Sequence, residues 1–227
     1  MNNLDKIIKA DRIKEAVEMG LSLFDPVALG VKAVNIGVKK GLDYYNVLKI
    51  HNFFKGFGDG AIDEEEIKEK IKKIDINILF NILDKQSKSD NLIINTLCGG
   101  IIYTAHFKEK REISYKELNA LDLLLSFSIR DLKNFFRLVY LNNTIGQTEI
   151  IGINPKDFEG HKIYNSSVTM QKMKLYGYLE YGVFTENGID ATESCNDLIK
   201  QIRHLKVLLI SYEELAEEKD IIEKLLQ

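Results

Sequence analysis

A chain of 227 residues with 45% hydrophobic and 29% charged content can bury a sizeable core, as one large domain or two small ones, and this excludes disorder throughout. A formal net charge of −3 is no global signature of a nucleic-acid binder, so any basic surface has to be local. Cys98 and Cys195 stand too far apart in sequence for a metal-ligand or redox pair and read as reduced core thiols.

The opening segment mixes charges and lacks a basic region followed by an apolar stretch, so no secretory signal is expected and the cytoplasm is the default location. Leu4, Ile7, Ile8 and Val17 outline a first helix. Asp25 as cap with Pro26 at the first helical position opens a second, with Val27, Val31, Val34 and Val38 at helical spacing. The stretch from Leu21 to Val38 is the most apolar of the chain. Asp25, Pro26, Lys32 and Asn35 interrupt it, which argues against a membrane span.

Residues 25–57 are locally basic. Lys32, Lys39, Lys40, Lys49 and Lys55 outweigh the single Asp43 past the cap, and Gly30, Ala33, Gly37 and Gly41 form a small-residue strip beside the valines. Core packing is the leading reading of this pattern. A surface for a protein partner, or for the inner face of an anionic membrane, is the alternative. Tyr45, Leu48, Phe53 and Phe54 fit a third helix that ends at Gly56-Phe-Gly-Asp-Gly60. No strand precedes that loop and no Lys-Ser/Thr follows it, so it is not a phosphate-binding loop. Asp59, Gly60, Ile62 and Glu66 match the second half of a calcium loop, but Lys55 and Phe57 occupy the upstream ligand positions and offer no oxygens.

One helix-start chemistry occurs three times, at Ile62-Asp63-Glu64-Glu65-Glu66-Ile67, Ile113-Ser114-Tyr115-Lys116-Glu117-Leu118 and Ile210-Ser211-Tyr212-Glu213-Glu214-Leu215. Each combines an Asp or Ser cap, a Glu three residues on and flanking apolar residues, the pattern of a capping box with a hydrophobic staple. Helices are expected over 64–73, 76–86, 90–107, 115–127 and 129–141. The fourth of these starts at Ser114, and the fifth carries Ile129, Leu132, Phe135, Phe136 and Val139 as one stripe. Asn142, Asn143, Gly146, Gly152, Pro155 and Gly160 then punctuate the chain, and Ile150, Ile151 and Ile153 could form a short strand. A helix capped by Ser166 or Ser167 runs to about Tyr178, and an extended piece through Tyr181-Gly-Val-Phe184 follows it. A long helix then carries Leu198, Ile199, Ile202, Leu205 and Leu209. The last helix, from Ser211, places Leu215, Ile222, Leu225 and Leu226 on one side, which must bury against the body or against a second copy in a homo-oligomer.

The chain therefore reads as mainly α. A multi-helix domain covers 1–142, a connection covers 143–166, and a winged-helix-like module with a terminal amphipathic helix covers 167–227. A DNA-reading version of that module would present Gln171, Lys172 and Lys174 on its recognition helix. Acidic Glu180, Glu186, Asp190, Glu193 and Asp197 follow closely and favour protein contact over phosphate. His51, His106, His161 and His204 lack metal-ligand spacing, and there is no nucleophile elbow, so no catalytic, metal or cofactor residue is assigned.

The Phe53-Phe54 helix leading into Gly58-Asp-Gly-Ala-Ile-Asp-Glu-Glu-Glu66, the segment Arg111-Glu-Ile-Ser-Tyr-Lys-Glu-Leu118, and the C-terminal Leu175-Tyr-Gly-Tyr-Leu179 and Phe184-Thr-Glu-Asn-Gly188 resemble an uncharacterised family of bacterial proteins that also occurs in phages and other mobile elements. The resemblance implies a phage, host-defence or counter-defence setting and supplies no catalytic residues. The leading expectation is a non-enzymatic interaction or regulatory protein. A DNA-binding regulator is the first alternative, and an enzyme whose site assembles only in the fold is the second.

Overall fold

The computed structural model describes residues 44–57, 73, 74, 78, 82, 85, 89, 91–144, 166–181 and 189–227. The fold is mainly α, and the chain forms two compact units, Met1–Glu112 and Ile113–Gln227. Residues 145–165 of the connection expected at 143–166 lie outside the described residues. The helices expected from Leu4 and Asp25, the capping box at Asp63, and the strand at 150–153 lie outside the described residues.

In the first unit, helices α1 (Tyr44–Lys55) and α2 (Leu92–Tyr103) pack together. Asn91 starts α2 by accepting from the backbone N–H groups of Ile93 at 3.0 Å and Ile94 at 3.3 Å, which satisfies two of the donors a helix start leaves open. Every residue from Ile93 to Ile102 is buried, so α2 is a central helix rather than a one-faced one. Two glycines set the contact. A Cβ on Gly99 would sit 1.8 Å from the Phe53 carbonyl oxygen, and one on Gly56 would sit 2.1 Å from that of Thr96. Beside this approach Phe53, Phe54 and Phe57 meet edge to face, with centroids 5.3–5.4 Å apart, and Phe57 continues to Phe107 at 5.8 Å. Helix α2 widens into a π-helical turn over Thr104–Lys108 and stops before Lys110, whose φ of 52° lies in the left-handed region.

The second unit opens with α3 (Tyr115–Leu125). It starts in the expected capping box: Ser114 accepts from Lys116 N–H, and its own N–H and hydroxyl donate to Glu117 Oε2 at 2.8 and 2.6 Å. Helix α4 (Ile129–Thr144) buries Leu132, Phe135, Phe136 and Val139 of the stripe read from the sequence, while Ile129, in its first turn, is half-buried. Helix α5 (Ser166–Leu175) leads to a two-stranded antiparallel ladder, β1 (Leu179–Tyr181) with β2 (Ile189–Ala191), in register Leu179↔Ala191. Helix α6 (Glu193–Ile202) follows.

The long helix expected beyond it is broken. Arg203–Leu205 form a 3₁₀ turn before α7 (Lys206–Ser211). Ile199, Ile202 and Leu205 recur every third residue, the period that a 3₁₀ turn keeps aligned, and all three are buried. The third expected capping box does not form. The Ser211 hydroxyl donates back to the Leu208 carbonyl at 2.7 Å, Tyr212 is extended, and a 3₁₀ segment over Glu213–Glu218 precedes α8 (Lys219–Leu225). Leu215, Ile222, Leu225 and Leu226 are buried, and this segment and α8 pack on α4. The terminal stripe is thus buried within the chain itself.

Candidate functional site

Helix α5 is the element on which the nucleic-acid and protein readings converge. A 3.6-residue period puts Thr169 and Met173 on one side, both fully buried. Val168, Gln171, Lys174 and Leu175 lie on the opposite side and are exposed.

The inward side is held by a polar cluster rooted in α4. Ser128 starts α4, donating its N–H and hydroxyl to Asp131 Oδ2 at 2.9 and 2.7 Å and accepting from Asp131 N–H at 3.2 Å. This is a reciprocal cap with Asp in the usual place of Glu. Asp131 still has acceptor capacity, and α5 uses it. The Thr169 hydroxyl donates to Oδ1 at 2.7 Å, and Lys172 Nζ donates to Oδ2 at 2.7 Å and to the Ser126 carbonyl at 2.6 Å. Asn134 Nδ2 donates to Thr169 Oγ1 at 3.1 Å. Burial alone would raise the Asp131 pKa, but the hydrogen bonds from Lys172, Thr169 and Ser128 outweigh it and hold the carboxyl at about 2.

The C-terminal end of α5 is closed as firmly. Gly177, at φ +77°, donates to the Lys174 carbonyl at 3.0 Å, and Tyr178 N–H donates to Met173 O at 2.7 Å, forming a Schellman turn. Asn119 of α3 donates to the Tyr176 carbonyl at 2.8 Å, and the Thr192 hydroxyl donates to that of Gly177 at 2.8 Å. The Cys195 thiol donates to the Tyr178 carbonyl at 3.1 Å, and burial pushes this thiol up to about 12. Burial first, then the nearby Cys195, Glu117 and Asp197, raise the Tyr178 hydroxyl as well. Neither group is poised for chemistry near neutral pH.

Of the three residues singled out for nucleic acid, Gln171 and Lys174 are on the outer side. Lys172 is committed to Asp131 and Ser126. The outer side is instead marked by apolar exposure: Leu175 is 79% exposed and Val168 49%. Tyr115, 80% exposed, lies one helical turn before Asn119, on the side of α3 that reaches the end of α5.

The basic residues of 25–57 fare differently. Lys32, Lys39 and Lys40 lie outside the described residues. Lys49 is only 5% exposed, so it is not an exposed basic residue. Lys55 is half-buried, and burial lowers its pKa. No helix among the described residues is long and apolar enough to cross a membrane, and no group of three or more His, Cys, Asp or Glu among them is placed to hold a metal.

Sequence reasoning missed the Ser128–Asp131 cap, although Ser at 128 with an acid three residues on is a capping signal. It also missed two long-range partners. Buried Glu117 accepts from Gln201 at 3.0 Å, and buried Glu218 pairs with Arg137 and, at 3.6 Å, with Lys133. Compared with known proteins, the chain matches no family model, no curated protein and no solved structure.

Proposed function

We propose that the chain is a non-enzymatic interaction protein that docks a protein partner on the outer side of α5, within a winged-helix-like C-terminal unit. One observation carries this reading: the helix that would read DNA turns Lys172 inward onto Asp131 and presents Leu175 and Val168 outward. A phosphate-binding helix commits its cations to phosphate, whereas exposed apolar side chains on a firmly held helix suit a protein contact. The Schellman turn at the C-terminal end of α5 and its buried polar cluster fix that face in place. The resemblance to bacterial and phage proteins sets the contact in a phage, host-defence or counter-defence context. A cytoplasmic location belongs to the same reading.

Crosslinked pull-down from producing cells, with wild type and Leu175→Glu compared, tests it. A charge placed at the centre of a docking face is expected to lower recovery of a specific partner at least about tenfold. Equal recovery by both chains overturns the proposed face. Gel-shift of duplex DNA whose salt slope drops with Lys174→Ala would favour the DNA-binding alternative.

A further inference from the structure

We draw no further inference here: the strongest candidate, the exposed apolar side of α5 at Val168 and Leu175, already carries the function proposed above, and nothing in the structure shows the chemistry of what covers it.

Discussion

Lys172 Nζ donates to Asp131 Oδ2 at 2.7 Å, joining α5 to the first turn of α4. The same carboxylate caps its own helix through Ser128, so one side chain starts α4 and anchors α5. Lys172→Ala is expected to cost about 2–3 kcal/mol, less than a fully buried pair because the lysine keeps some water contact. Urea unfolding checks this, and an unchanged midpoint would contradict it. The acid limb follows from the same pair. Asp131 is held at about 2 in the folded chain against 3.8 ordinarily, so its contribution is complete above the ordinary value and is lost as pH falls from about 4 to about 2. Asp131→Asn should be less stable at neutral pH and lose less on acidification across that window.

Gly99 and Gly177 make a matched pair of tests. At Gly99 a methyl group would collide with the Phe53 backbone, which cannot move without separating α1 from α2. Gly99→Ala is expected to cost about 3 kcal/mol or more. At Gly177 nothing lies within 4 Å of the added carbon, and the cost there is the left-handed φ alone, about 1–2 kcal/mol. Thermal unfolding of both variants distinguishes a packing clash from backbone strain. A Gly99→Ala chain as stable as the parent would contradict the close approach.

Arg137 and Glu218 form a buried ion pair that ties the terminal segment to α4. Among the described residues, Arg137→Ala would leave Lys133 at 3.6 Å as the remaining ion-pair partner of buried Glu218, at a cost of about 3–5 kcal/mol. Limited proteolysis should then cut first within 213–227. Cleavage unchanged in rate and position would refute the tie.

Both cysteines are buried and neither forms a disulfide, and burial holds the Cys195 thiol protonated. Reaction with an aromatic disulfide reagent near neutral pH should be slow in the folded chain and release two equivalents on denaturation. Fast labelling of Cys195 in the folded chain would contradict this.

Local signals written in adjacent residues were legible. The Ser114–Glu117 box and the Leu132 to Val139 stripe needed nothing beyond their own helices. The departures arise where a side chain had two outlets. Ser211 could cap forward or bond backward, and once Leu208 offered its carbonyl the last helix began in 3₁₀ form beyond Tyr212. Lys172 could face solvent or a carboxylate forty-one residues upstream, and only the packing of α5 on α4 brings Asp131 within reach. The same holds for Glu117 with Gln201, whose separation of 84 residues leaves no local trace.

The central claim concerns what α5 meets. A photocrosslinking benzophenone amino acid placed at Leu175, with the same group at exposed Asp220 as control, reports it directly in producing cells. The predicted result is a protein adduct specific to position 175. Adducts with DNA at that position, or identical protein adducts at both positions, would contradict docking on this face.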